Sequence, residues 1–253
     1  MKITFLGTGP SHGVPVIGCT CSVCTSNNEK NIRWRSSIII EKKSKFILID
    51  TSPEFRFQAL KYDIRKIDAV LFTHRHADHV HGFDDLRRYN EITGKTIPCF
   101  ADETTANSIK NMYPYVFRAR KHDYTSKPKV TMKIVNGVFQ VEDIKITPVP
   151  IKHGAEKILG YRFDNFAYLT DCSSIPEESY SLLKNLDILV IGALRYTPHP
   201  NHLSVDEVIP VINRINPGKA YLTHMTHEIE YHTLKDYLPD HIEPAYDGLK
   251  LFA

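Results

Sequence analysis

A chain of 253 residues with 42% hydrophobic and 24% charged side chains has ordinary globular composition, which excludes disordered and fibrous classes and leaves enough apolar surface for a core. Its net charge of +3 is too balanced to call for a polyanionic partner. The longest strongly apolar stretch, near residues 188–194, falls far short of the ~20 needed to cross a bilayer. The opening residues read as a strand rather than an export signal; a soluble cytoplasmic protein folded as one domain over residues 1–253, without membrane contact, is expected.

The first apolar run, residues 2–6, predicts a strand. Cys19, Cys21 and Cys24 then place three of the five cysteines within six residues. Without an export signal disulfides are not expected. Thiolates at this spacing instead make most of a closed tetrahedral zinc site lacking one donor. Cys99 and Cys172 stand apart and read as packed thiols. Strands are predicted over 37–40 and 46–49, and Ser52-Pro53-Glu54 opens a helix to about residue 62, with proline at the first helical position. The run 69–72 predicts a buried strand, and directly after it comes Thr73-His74-Arg75-His76-Ala77-Asp78-His79. A further helix is predicted over 102–112. The basic cluster of Arg118, Arg120, Lys121, His122, Lys127 and Lys129 lacks helical periodicity and is broken by Pro128; it reads as a solvated loop, with phosphate or partner contact as the alternative.

In the second half, the predicted strand 144–151 is followed by His153, strand 166–170 by Asp171 and strand 220–223 by His224, with a further strand over 188–191. Ser204-Val205-Asp206-Glu207 is a capping box ahead of apolar Val205, Val208, Ile209, Ile212 and Ile215. Pro210 is expected to kink or strain this helix, and Asn216-Pro217-Gly218 to stop it. His227 lies three residues beyond His224, so one turn can face an imidazole to each of two sites; it is the natural fourth donor for the cysteines. Strands with helices between them predict two sheets packed together, helices on the outer faces and ligands at strand ends along one edge.

The cluster after residue 72 carries the chemistry. Zinc, manganese and iron(II) accept imidazole nitrogen and carboxylate oxygen alike, and a loop leaving a buried strand can turn alternate side chains toward two neighbouring ions. With His153, Asp171 and His224 the set reaches five histidines and two aspartates, enough for two ions with Asp171 bridging and open positions for water.

On these residues the chain resembles the metallo-β-lactamase superfamily, which implies a four-layer αββα sandwich. His74, His76, Asp78 and His79 match its defining motif, and His153, Asp171 and His224 its later ligand positions. The resemblance implies that His74, His76 and His153 hold one ion and Asp78, His79 and His224 the other, with Asp171 between them. Gly7-Thr8-Gly9, Gly13-Val14-Pro15, the cysteine cluster and Leu222-Thr223-His224-x-x-His227 resemble one branch, the PhnP family of phosphoribosyl cyclic phosphate phosphodiesterases. That implies two catalytic divalent ions, a structural zinc on Cys19, Cys21, Cys24 and His227, and a homodimer.

Asn201-His202 matches a pair carrying an active-site histidine in that family. The expected reaction is hydrolysis of a small phosphodiester by a two-metal hydroxide mechanism. Asp78 ligates and orients the nucleophile, and His202 acts as general acid with His199 in reserve. Three alternatives stand beside it. A tRNA 3′-processing endonuclease would need a protruding arm and strong positive charge that are not evident. A thioester or lactone hydrolase would use the same ligands, and a non-catalytic accessory protein would have no reason to keep all seven donors.

Overall fold

Three consecutive isoleucines show how this sequence makes layers. Successive strand side chains point to opposite faces, so Ile38 and Ile40 enter a core shared by two sheets while Ile39 enters a second core beneath helices. Ile47, Leu48 and Ile49 divide the same way. A strand covered on both faces is apolar without interruption, which is why these runs stand out in the sequence.

In this computed structural model, which describes residues 1–118 and 126–253, the strands form two seven-stranded sheets. The first holds β1 (Lys2–Gly7), β2 (Ser37–Lys42), β3 (Lys45–Ile49), β4 (Ala69–Leu71), β5 (Ile97–Ala101) and β6 (Val130–Ile134) in that order. The second runs in order from β7 (Phe139–Val141) through β8 (Ile144–His153), β9 (Glu156–Phe163), β10 (Phe166–Leu169), β11 (Ile188–Gly192) and β12 (Lys219–Thr223) to β13 (Ile242–Pro244). The last strand, β14 (Lys250–Phe252), returns to the first sheet and pairs with β1. Strands β3 to β6 run parallel, as do β10 to β13.

Helices cover both outer faces. On the first sheet lie α1 (Phe55–Lys61), α2 (Ala77–Val80), α3 (Leu86–Thr93), α4 (Glu103–Met112) and α5 (Pro114–Phe117), with Phe55, Leu86, Tyr89 and Ile109 in its outer core. On the second lie α6 (Glu177–Tyr180), α7 (Val205–Ile215) and α8 (Tyr231–Tyr237), where Val205, Val208, Ile212 and Leu234 pack against Leu189, Ile191 and Leu222. The result is the αββα sandwich expected from the sequence.

Two local expectations shift. Helix α1 begins at Phe55 rather than Pro53, because the Ser52 carbonyl accepts the Phe55 amide and closes a turn first. Helix α7 runs through Pro210 to Ile215. Its buried stripe holds it to the sheet, and the proline falls on the exposed face. Within the basic cluster, Arg120, Lys121 and His122 lie outside the described residues. No helix of the described residues is long and apolar enough to cross a membrane.

Candidate metal centre

Parallel strands end together, and here those ends converge. Asp50 follows β3, His74 to His79 follow β4 and lead into α2, Asp171 follows β10, His224 follows β12, and His153 is the last residue of β8. Asp50, Asp171 and His224 all have left-handed backbone, with φ of 64°, 54° and 60°. That conformation costs a non-glycine residue about 1 kcal/mol or more, and it turns each side chain out of its strand toward a common point.

Two donor groups form there. His74, His76 and His153 make one; Asp78, His79, Asp171 and His224 make the other, and within each group the donor atoms lie within 4.8 Å of one another, as do those of an overlapping set, His153, Asp171 and His202. Asp171 joins them: its Oδ1 is 3.2 Å from His79 Nε2, and its Oδ2 is 3.2 Å from His224 Nε2 and 3.9 Å from His74 Nε2. His79 Nε2 is also 3.2 Å from Asp78 Oδ2, which is 3.6 Å from His224 Nε2.

Asp50, which the sequence reading passed over, organises the opposite side of these rings. Its carboxylate accepts the Thr73 amide and hydroxyl and the His79 Nδ1 hydrogen, each at 2.8 Å. Since the Thr73 hydroxyl donates to Asp50, it accepts from His74 Nδ1 at 3.0 Å. Both imidazoles are thereby held with Nε2 turned toward the donor groups, where His74 Nε2 lies 3.0 Å from His76 Nδ1. His153 Nδ1 donates to the Asn201 carbonyl at 2.8 Å, with the same effect. Gly154 has left-handed backbone, with φ of 59°, and a Cβ there would stand 2.2 Å from Asn201 Oδ1, so a side chain at this position would be strained and would displace that amide. The one available sign of Asp50 was its place after the apolar run 46–49, the same strand-end position that marks Asp171.

The donor set fits divalent cations. Asp78 Oδ2, His79 Nε2 and His224 Nε2 are buried with no hydrogen-bond partner, which is costly for polar atoms unless something else satisfies them. Their spacings of 3.2 to 3.6 Å match the ~3.4 Å expected between atoms each ~2.1 Å from one tetrahedral ion. Electrostatics agree. Burial alone would raise the Asp78 and Asp171 carboxyls, but the facing imidazoles hold both below the usual carboxylate range. Burial works against a charged His79, yet Asp78, Asp171 and Asp50 together hold it well above the ordinary histidine range.

A second centre lies beyond the turn after β12. Cys19, Cys21 and Cys24 Sγ stand 3.3, 3.4 and 3.5 Å from His227 Nδ1, against ~3.5 Å for a thiolate and an imidazole sharing a zinc ion. The Cys24 amide, donating to Cys21 Sγ, brings that thiol down to about 6, while burial pushes Cys24 up to about 11. Cys99 and Cys172 are buried elsewhere in the cores. His202 sits beside the first centre, its ring 4.6 Å from that of His153 and 4.9 Å from that of His224. Burial and then the His224 imidazole push it down to about 3. His199 is one ring further out, 5.2 Å from His202.

Residues 45–225 match the family described as beta-lactamase superfamily domain. A solved structure described as a new diphosphatase from the PhnP family is 40% identical, with a TM-score of 0.93 over 100% of this chain and 97% of that one. An octanoyltransferase of Porphyromonas gingivalis is 39% identical over 253 residues, 99% of this chain and 51% of the relative. A ribonuclease Z of Clostridium acetobutylicum is 26% identical over 151 residues, 56% of this chain and 46% of the relative. The chain thus spans about half the length of these last two proteins.

Proposed function

Because the chain belongs to the metallo-β-lactamase superfamily of hydrolases, we propose that it cleaves a small phosphodiester or diphosphate ester with the help of two divalent cations, zinc or manganese. One observation carries this reading: the Asp171 carboxylate reaches both donor groups. His74, His76 and His153 would hold one ion, Asp78, His79 and His224 the other, with Asp171 between them. Cys19, Cys21, Cys24 and His227 would hold a structural zinc. A bound pair of ions supplies Lewis acidity to the phosphoryl oxygens and makes the attacking water more acidic. The similarity to a PhnP-family diphosphatase and a ribonuclease Z supports phosphorus as the centre attacked.

The protein's own groups divide the remaining work. Asp78 and Asp171 concentrate negative charge that the cations offset, and Asp50, Thr73 and Asn201 fix the imidazole orientations. The leaving oxygen needs a proton. His202 faces both donor groups, and as a neutral imidazole it can still donate a ring N–H to developing negative charge. His202→Ala should keep its full metal content and lose on the order of 10²-fold in turnover on an alkyl phosphodiester, with a far smaller loss on a p-nitrophenyl ester. Equal losses on the two esters would remove the donor role.

The relative named octanoyltransferase favours one further reading, attack on an acyl carbonyl. Metal-loaded protein assayed side by side on a phosphodiester, a diphosphate ester and an octanoyl thioester decides between them. Faster thioester cleavage overturns the phosphodiesterase reading.

A further inference from the structure

The segment between β11 and α7 carries His199, Asn201 and His202. Its two ends are pinned by backbone bonds: the Leu194 amide donates to the Leu203 carbonyl and the Val205 amide to the Arg195 carbonyl, both at 2.9 Å, and the Leu203 amide donates to the Cys172 carbonyl at 2.7 Å. Tyr196 packs on the core of the second sheet and against Tyr237. Beyond it the chain turns over the metal centre. There the Asn201 carbonyl accepts from His153 Nδ1 at 2.8 Å, and the His202 ring stands beside those of His153 and His224.

Two contacts shape this tip from within: His199 and His202 pair as a short antiparallel bridge, and His199 Nδ1 accepts the Asn201 amide at 3.2 Å. Arg195 ties the tip back to its own stem. Its Nε donates to the Thr197 carbonyl at 3.2 Å and one terminal nitrogen to the Pro198 carbonyl at 3.3 Å, while the other lies 3.7 Å from Glu228 Oε1 in the turn after β12. Each nitrogen of the guanidinium thus has its own partner. A planar fork with five N–H bonds permits this, and the compact ammonium of lysine does not.

We propose that Arg195 is a positioning residue, which through the Thr197 and Pro198 carbonyls sets the one segment that both orients His153 and presents His202. The inference rests on the hydrolytic reading of the donor groups. A metal ligand and the proton donor then share a single support. When His153 ligates through Nε2, its hydrogen stays on Nδ1 and holds the Asn201 carbonyl, and with it the neighbouring His202. Coupling of this kind is reciprocal, so a well-seated tip favours the cation that His153 helps to hold. His79, in the other donor group, is oriented from Asp50 instead, so the two groups should respond differently to a change at Arg195.

The first test reads metal rather than turnover. Metal-free protein is reloaded with zinc in competition with a chromogenic chelator that resolves the two catalytic ions by affinity. Arg195→Met should weaken one of them about 3- to 10-fold and leave the other within about twofold. The second test compares leaving groups at saturating metal. In Arg195→Met, kcat on an alkyl phosphodiester should fall about tenfold and kcat on a p-nitrophenyl ester less than about twofold, with KM unchanged for both, because a misplaced proton donor matters only to a poor leaving group. Arg195→Lys keeps a positive charge toward Glu228 without both carbonyl bonds and should behave like Arg195→Met. Glu228→Gln loses only the charge pair, which is partly exposed and worth little, and should behave like the parent protein. Equal weakening of both ions, equal losses on both esters or no change in either measurement overturns the proposal, as does recovery in Arg195→Lys together with loss in Glu228→Gln. Selective weakening of one ion in a protein that cleaves neither ester would uphold the coupling and sink the hydrolytic reading.

Discussion

Asp50 touches no candidate ion, yet it fixes one imidazole of each donor group: His79 directly, and His74 through the Thr73 hydroxyl. It is fully buried, and burial pushes its carboxyl up, so ionising it is opposed by everything except the donors it accepts. An amide in its place would keep one acceptor and turn a donor toward another donor, at His79 Nδ1 or at Thr73. Removing the hydrogen-bond partner of a ligating histidine commonly weakens a metal site by about 10- to 100-fold. Asp50→Asn is therefore expected to lose affinity in that range for both catalytic ions while the cysteine centre is unaffected. Competition against a chromogenic chelator measures it, and unchanged affinity would show that Asp50 only supports the fold.

Helix α7 lays Val205, Val208, Ile212 and Ile215 onto the second sheet, is opened by a complete Ser204–Glu207 capping box, and carries Pro210 on its exposed face. That proline cannot donate to the Asp206 carbonyl, an interior defect worth about 3 kcal/mol, partly offset because proline also restricts the unfolded chain. Pro210→Ala should raise stability by about 1–2 kcal/mol, seen as a higher denaturant midpoint at unchanged slope; a lower midpoint would mean that the rigid ring matters more than the missing bond. Elements covered on both faces were the legible ones, since 37–40, 46–49 and 69–72 are apolar without interruption. Strand β9 (Glu156–Phe163) was missed because Glu156, Lys157 and Arg162 dilute its pattern, β5 (Ile97–Ala101) because Pro98 argues against a strand, and β13 and β14 because three residues carry no period. The seven donors were legible because each follows a strand or shares one loop. Asp50 shares that placement but not the clustered spacing that made the others conspicuous.

At the scale of the whole molecule, the donors are divided between the two sheets. His74, His76, Asp78 and His79 leave the first, and His153, Asp171 and His224 leave the second. Cations held by both sets would tie together the two halves of the sandwich at one edge, where the apolar core between the sheets gives way to buried charge. Ions that bind only the folded protein stabilise it by RT ln(1 + [M]/Kd), about 1.4 kcal/mol per ion for each tenfold rise in free metal above Kd. Two ions should double that slope. Removal of both would leave Asp78, Asp171 and Asp50 around imidazoles that have only protons to offer. Protein stripped by a chelator that spares the cysteine centre is expected to unfold at a lower temperature. Stability should recover with added zinc or manganese in proportion to the logarithm of free metal, with a slope near 2.7 kcal/mol per decade. A slope half as steep would mean that a single ion spans the sheets, and a melting temperature indifferent to metal would mean that the donors are held in place by packing alone.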